Sequence, residues 1–517
     1  MLIGVTVNIH YYFAIGLWGS GSLLTVQARD YVEEFPIFFV SDGPYSYSNM
    51  DKKDYTGVKL NIITLSPPVM GGPTQLHAAQ FSELTGAEMN VVTVPLSELF
   101  QKVMTPFFTG TPTWDAIIFP PNWAGDIMAP GYLATVPKEM LASPQWQETL
   151  PIYRHLTLWG GKTYGIPIDG DKHFLSYRLD AIDNADYQAK FQDKYGYPLQ
   201  TPQTWSEYRD VAEFFNGWDW DGDGKVEYGS IEMTEPNAQL FWQFVVRAAP
   251  YVKHPAVTGG FFFDVEDMTP LINTPGWVRA LEDMIQIQAF YPPDGRKFTL
   301  ADVIYSFGEG EGALQVNWDD GFIQAMGEKS PIRNKVSAAL APGAKQVWNR
   351  NTQQWDEFPE INRAPFIAWG GWIMGVPADS PNQQAAFDFL GFMSNPENQA
   401  YDLTIGSYGV NPYREADFAP EFWVKYAGFD EKVAKEYTQT LQETLNHPNR
   451  VFDLRIPANQ LYVNALSTAV SQALTRKATP QQALDRAAKE WDRITLRVGL
   501  EQQKQAYREL VKLQERK

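Results

Sequence analysis

The order of elements predicts an α/β protein built on parallel sheets, and three observations carry that expectation. β-rich runs alternate with amphipathic runs early in the chain, Gly- and Pro-rich loops fall where the strands end, and a late apolar run is broken by paired glycines. Val58–Leu65 (VKLNIITL) alternates and reads as a strand. Ser66-Pro67-Pro68 and Gly71-Gly72-Pro73 form a loop, and Thr74–Leu84 reads as a helix stopped by Gly86. Met89–Val94 is a second strand. Ser97 opens a helix with Leu99, Phe100, Val103 and Met104 on one side, and Ala116–Phe119 is a third strand after the turn at Gly110–Thr113. Such alternation implies right-handed crossovers, with ligand bound beyond the strand C-termini. Those positions are Ser66–Gly72 and Pro120–Asp126, which makes Asn122, Trp123 and Asp126 candidate ligand residues.

The late apolar run is Arg363–Pro377 (RAPFIAWGGWIMGVP), where Trp369 and Trp372 flank Gly370 and Gly371. Glycine lets a backbone or a ligand approach closely, and tryptophan supplies a flat apolar face with one N–H donor. Ser380 then reads as a helix N-cap with Pro381 in the first turn, ahead of Ala385, Ala386, Phe389, Leu390 and Met393 at helical spacing. Leu461, Tyr462, Ala465, Leu466, Ala469, Val470, Ala473 and Leu474 form a further helical stripe. Thr479 and Gln482 have capping-box spacing around Pro480, and a second stripe runs on to Ile494. Arg493–Lys517 is a polar helical extension.

With 517 residues, the chain is long enough for two to four domains. A formal net charge of −19 excludes nucleic acid and an anionic membrane surface as main partners, because both require clustered Lys and Arg. The absence of cysteine removes disulfides, thiolate metal sites and cysteine nucleophiles. The 17 Trp and 25 Tyr exceed what a core requires and suit a site that stacks on sugar rings. Leu2–Leu24 has no charged residue, and Val26-Gln27-Ala28 resembles a small-residue cleavage site. Residues 1–28 therefore read as a signal peptide, or as an uncleaved anchor since no Lys or Arg precedes Arg29. Residues 29–56 read as a linker or strap on the outside.

From Val58 onward, several segments occur in a familiar order. They are TGAEMNVVTVPLSELFQKVMTPFFTGTPTWDAIIF, then GYLATVP, Gly161–Pro167 (GKTYGIP), Gly312–Trp318 (GALQVNW), Ala368–Pro377 and Gln460–Ile494. Together they resemble the extracellular solute-binding proteins of family 1, the sugar-binding components of ABC importers similar to maltose-binding proteins. The resemblance implies a periplasmic-binding-protein type II-like fold: two discontinuous α/β lobes joined by a hinge with three crossings. The crossings are expected near Pro167–Asp169, Trp369–Val376 and Pro448–Phe452. Lobe 1 would then comprise 57–168 and 374–450, and lobe 2 would comprise 169–373 and 451–517. It further implies a monomeric, periplasmic or extracellular protein that hands a carbohydrate, as an oligosaccharide, to an ABC transporter membrane permease. The alternatives are a ligand-presenting sensor and a carbohydrate-active enzyme with paired carboxylates. No motif of nucleophilic, phosphate-binding or zinc chemistry is present, so the reading is not an enzyme.

The cleft candidates on this reading, besides Asn122, Trp123 and Asp126, are Asp169, Asp171 and His173 after the first crossing and Trp318, Asp319 and Asp320 in NWDDG. Trp369, Gly370, Gly371 and Trp372 belong to the second crossing, and Tyr408, Asn411 and Arg414 to GSYGVNPYR. Trp with Asp, Asn or Arg supplies what sugars need, flat faces for C–H surfaces and polar partners for hydroxyls. Asp219, Asp221 and Asp223, with Gly224, the Lys225 carbonyl and an acid supplied by Glu227 or Glu232, have the spacing of a structural Ca2+ loop; Ser230 replaces the closing glutamate of an EF-hand. Some alginate-binding members of the family resembled carry a similar loop.

Overall fold

The computed structural model describes residues 41–235 and 239–515, together with the two-residue strands Asn8–Ile9 and Glu33–Glu34, which pair antiparallel. Apart from those strands, the expected signal peptide or anchor and the strap as far as residue 40 lie outside the described residues. From Ser41 the strap lies on the first lobe. The Ser41 backbone N–H donates to Glu397 Oε1 at 2.8 Å, Tyr47 donates to Asn398 at 2.6 Å, and the Tyr45 ring covers Gly391.

The first lobe is organised by strands β1 (Lys59–Leu65), β2 (Glu88–Val94) and β3 (Ala116–Phe119), with helices α1 (Gly71–Thr85) and α2 (Leu96–Thr109) between them. β1 pairs in parallel with β2 and β3, as the alternation predicts. Two later strands, β4 (Ile166–Pro167) and β12 (Ile373–Gly375), complete the order β2-β1-β3-β12-β4. β3 lies at the centre of this sheet and is buried along its whole length.

The second lobe holds β5 (His173–Arg178), β6 (Tyr228–Ser230), β7 (Gly312–Trp318) and β8 (Val336–Ala339) in the order β6-β7-β5-β8. All residues of β5 and β7 are buried. Their antiparallel register sets Trp318 opposite His173, at the sheet end nearest the first lobe. Helices α3 (Trp205–Phe214), α4 (Leu240–Val252), α5 (Pro275–Ile287), α6 (Leu300–Gly308) and α7 (Asp319–Ala325) complete this lobe. A hairpin, β9 (Ala344–Asn349) with β10 (Gln354–Asn362), leads into the short strand β11 (Phe366–Ile367).

The chain passes between lobes at Ile168–Lys172 and again at Ala368–Trp372. The two segments touch, with Ile168 N–H donating to the Trp372 carbonyl at 2.9 Å. The third passage falls earlier than Pro448–Phe452. Helices α8 (Gln383–Met393) and α9 (Pro396–Asp402) lie with the first lobe, but α10 (Glu431–Asn446) packs on β8, where Thr440 donates to the Ala338 carbonyl at 3.1 Å. The change of lobe therefore lies between Asp402 and Glu431, so 374–450 is not one block of lobe 1. Strand β13 (Val451–Phe452) instead pairs in parallel with β11 at the hinge. The start of α8 also differs from expectation. Asn382 stands at the N-cap, because the Ser380 hydroxyl is drawn to Asp115 at 2.6 Å.

The closing helices are α11 (Asn459–Leu474), α12 (Pro480–Val498) and α13 (Leu500–Glu515). α12 carries the expected capping box of Thr479 and Gln482. Among the described residues no helix is long and apolar enough to cross a membrane.

Candidate functional site

The site forms where the first two inter-lobe passages meet the ends of β7 and β12. Gly371 makes this meeting possible. It has φ of 90°, and a Cβ there would lie 2.1 Å from the Asp169 carbonyl oxygen, so no other residue fits without moving one passage. Gly370 has φ of 80° and backs onto Leu156. Trp369 also has positive φ, at 64°, an uncommon conformation for a large side chain. It is held by packing, with its ring 4.4 Å from Trp242, 5.5 Å from Trp372 and 6.5 Å from Trp318.

Between the lobes this cluster borders a cavity of about 300 Å³. Trp318, Trp369 and Trp372 form one wall, with Asp171 and Asp320 beside them. Leu65, Pro68, Val69 and Leu96 enter from the first lobe, while Leu300, Ile304, Tyr305 and Gln324 enter from the second. The three tryptophans are each at most 5% exposed.

Asn411 ties the polar floor together. Its backbone N–H donates to Asp169 Oδ1 at 2.6 Å, and its side-chain amide donates to Asp171 at 2.8 Å and to Asp320 at 3.0 Å. One residue from the third passage thus locks the first passage to the start of α7. Lys172 is fully buried and sits 2.7 Å from Asp319. Burial, reinforced by the neighbouring acids, holds Asp169 and Asp171 well above the usual carboxylate range. Burial pushes Asp319 up to about 6 against the pull of Lys172, and it raises Asp320 as well. His173, buried against the Trp318 ring at 4.2 Å, is pushed down to about 3 and is neutral.

Several expected ligand residues face elsewhere. Trp123 is packed in the first lobe against Phe100 at 4.9 Å. Asn122 donates to Asp453 at 3.3 Å, beneath the hinge. Asp126 accepts from the backbone N–H of Ala458 at 2.7 Å and of Asn459 at 3.3 Å, which makes it an anchor for the start of α11; burial raises it to about 6. Arg414 pairs with Glu148 at 2.5 Å and with the Ser394 carbonyl at 3.0 Å inside the first lobe. The Tyr408 ring lies over Gly72, while its neighbours Gly406, Ser407 and Gly409 line the cavity. Asp169, His173 and Asp319 lie behind the lining, where they support it. The strand-end rule located the cavity, but the loop after β3 folds under the hinge instead of into the space.

Trp242, Gln239, Gln324 and Tyr305 were not found from the sequence. Trp242 backs Trp369 and donates to Asp453 at 2.5 Å. Burial pushes Asp453 up to about 7, although it accepts from Trp242 and Asn122 on opposite sides of the hinge. α6 carried a usable signal: Leu300, Ala301, Ile304 and Tyr305 lie on one face, and Tyr305 is left 53% exposed at the rim.

Away from the cleft, carboxylate oxygens of Asp219, Asp221, Asp223 and Glu227 lie within 4.8 Å of one another. Asp219 accepts from the backbone N–H of Gly222 at 2.7 Å and of Gly224 at 3.1 Å, and Asp223 accepts from Lys225 N–H at 2.8 Å. These bonds hold the loop in its turn. Glu227, whose carboxylate accepts from Trp220 N–H at 2.9 Å, is the acid that joins the three aspartates. Glu232 does not, because it is buried against Arg247 at 2.7 Å. The donor set is all oxygen and suits a hard cation.

Two α/β lobes joined by a multi-stranded hinge, with a solute-sized cavity between them, define a type II periplasmic-binding-protein fold. The chain belongs to the bacterial extracellular solute-binding proteins, whose family model matches residues 77–430. It is 21% identical over 351 residues, 67% of this chain and 70% of the other, to a Sinorhizobium fredii protein described as a probable amino-acid ABC transporter periplasmic-binding protein. Its fold is similar to that of an ABC transporter solute-binding protein from Agrobacterium radiobacter K84 in complex with ribitol. The TM-score is 0.66 at 21% identity, covering 86% of this chain and 100% of that one. A maltose-bound MalE3 from T. maritima is also similar, with a TM-score of 0.65 at 21% identity, covering 85% and 100% of the two chains.

Proposed function

We propose that this protein captures a carbohydrate between its lobes and delivers it to the membrane permease of an ABC importer, acting as a monomer outside the cytoplasm and performing no covalent chemistry. The observation that carries this reading is the tryptophan-walled cavity of about 300 Å³ with Asp171 and Asp320 on its floor. Indole faces bind the C–H surfaces of sugars, and carboxylates accept their hydroxyls. The ribitol and maltose held by similarly folded proteins support the same solute class. A small sugar or sugar alcohol fits the enclosed space better than the longer oligosaccharide expected from the sequence. Hinge closure brings the first lobe's Leu65 and Val69 onto a ligand already seated on the tryptophans.

Two further elements belong to this reading. Residues 1–28 direct export, by cleavage or as an anchor, and the loop Asp219–Glu227 holds a structural Ca2+ through the three aspartates, Glu227 and the Lys225 carbonyl. Isothermal titration with ribitol, mannitol, maltose and cellobiose tests the main claim, with chromatography of the recovered ligand. Stoichiometric binding with the sugar returned unchanged is expected. Release of hydrolysis products would replace this reading with an enzymatic one.

A further inference from the structure

The cavity floor gathers four buried acids around a single cationic side chain. Asp169, Asp171, Asp319 and Asp320 are each at most 7% exposed and lie side by side. Lys172 is the cationic side chain that acts on them, and its ammonium group is already committed to Asp319 at 2.7 Å and the Gly170 carbonyl at 2.7 Å. Asp171 and Asp320, which face the cavity, share a neutral partner, the Asn411 amide. Among the described residues no Lys, Arg or His lines the cavity. A buried acid without a cation takes up a proton, and a bound cation favours its charged form instead.

A second feature is the aromatic wall. Trp369 lines the same cavity at 5% exposure, and among the described residues its indole N–H has no hydrogen-bond partner. The faces of Trp318, Trp369 and Trp372 stand at steep angles to one another, 85° for Trp318 with Trp369 and 45° for Trp369 with Trp372. Aromatic faces around a carboxylate pair suit a cation as well as a sugar face.

We propose that the solute is an amine-bearing sugar or sugar alcohol, whose ammonium group sits between Asp171 and Asp320 against the tryptophan wall. This rests on the interlobe cavity being the solute site. The outer part of the cavity, walled by Leu65, Val69, Leu300 and Ile304, takes the uncharged remainder of the solute.

Matched probes decide it. Isothermal titration of the intact protein compares the β-1,4 disaccharide of glucosamine, its N-acetylated form, cellobiose and putrescine. The free-amine disaccharide is expected to bind about tenfold or more tighter than cellobiose, with the advantage lost on acetylation. Asp320→Asn, which keeps the shape and removes the charge, is expected to bring the amine and neutral disaccharides within about threefold of each other. The comparison on the parent protein does not depend on that variant folding. Equal or tighter binding of cellobiose overturns the ammonium site and leaves the carbohydrate reading standing. Binding of putrescine with no sugar bound overturns the carbohydrate reading and leaves the charge assignment. Binding of none of the four overturns both.

Discussion

The molecule has two acidic clusters, and they are built in opposite ways. Asp219, Asp221 and Asp223 are exposed, Glu227 from the same loop is buried beside them, and much of their hydrogen bonding goes to the loop's own backbone. Asp169, Asp171, Asp319 and Asp320 come from two segments far apart in the chain, are buried, and are joined by Asn411 from a third. In the loop, water screens the charges and the cost of gathering them is small. In the cleft, the charges oppose burial, so the surrounding fold must hold them together, and a solute that satisfies them favours the closed form.

Breaking the cleft cluster is expected to have the largest effects. Trp369→Ala removes a ring packed on three other tryptophans and should lower stability by about 3–5 kcal/mol in denaturant titration. Gly371→Ala should cost about 1–3 kcal/mol, since its Cβ would meet the Asp169 carbonyl and force the two passages apart. The loop cluster should respond only to cation. Calcium at roughly a hundred times its Kd should raise stability by about 2.7 kcal/mol relative to chelator. Asp223→Asn, which retains the acceptor for Lys225 N–H, should abolish that gain and leave stability in chelator nearly unchanged. If chelator does not alter the melting of the parent protein, the loop is an acidic turn that binds no calcium.

A further effect separates buried carboxylates from exposed ones by pH. Asp453 is raised from 3.8 to about 7 in the folded protein, chiefly by burial, so over that interval the folded state binds more protons than the unfolded state. Its contribution to stability therefore falls as pH rises from about 4 to 7. Asp453→Asn should flatten this part of the melting-temperature profile, whereas neutralising Asp223 should not. Parallel profiles for the parent and Asp453→Asn would show that Asp453 is not protonated in the fold.

The same contrast explains what the sequence revealed. The first sheet was legible from alternation and turn residues, because β1, β2 and β3 follow one another in the chain with one helix between each pair. The metal-type loop was legible because its donors lie within nine residues of chain, from Asp219 to Glu227. The choice between Glu227 and Glu232 was not, since Arg247 claims Glu232 from a distant helix. In the cleft, Trp318, Trp369 and Trp372 were picked out by neighbouring glycines and strand ends, but Trp242 sits in a helix buried on nearly all sides, where no local feature marks it. Asp126 and Arg414 carried the right chemistry in promising loops, and distant backbone groups of α11 and α9's flank took them up instead. The third passage was misjudged because α10 is amphipathic whichever lobe it covers; only its contacts with β8 decide the matter.

The central claim is that solute is held on the tryptophan wall between the lobes. It is tested most directly by fluorescence titration of the parent, Trp372→Ala and Trp318→Ala with the sugar that binds best. The account predicts a saturable change in the parent and a loss of about 2 kcal/mol or more of binding energy in each variant. Because closure joins the two contacts, the double variant should lose less than the sum of the single losses. Variants that melt earlier yet bind as tightly as the parent would show that these rings are core and that the solute sits elsewhere.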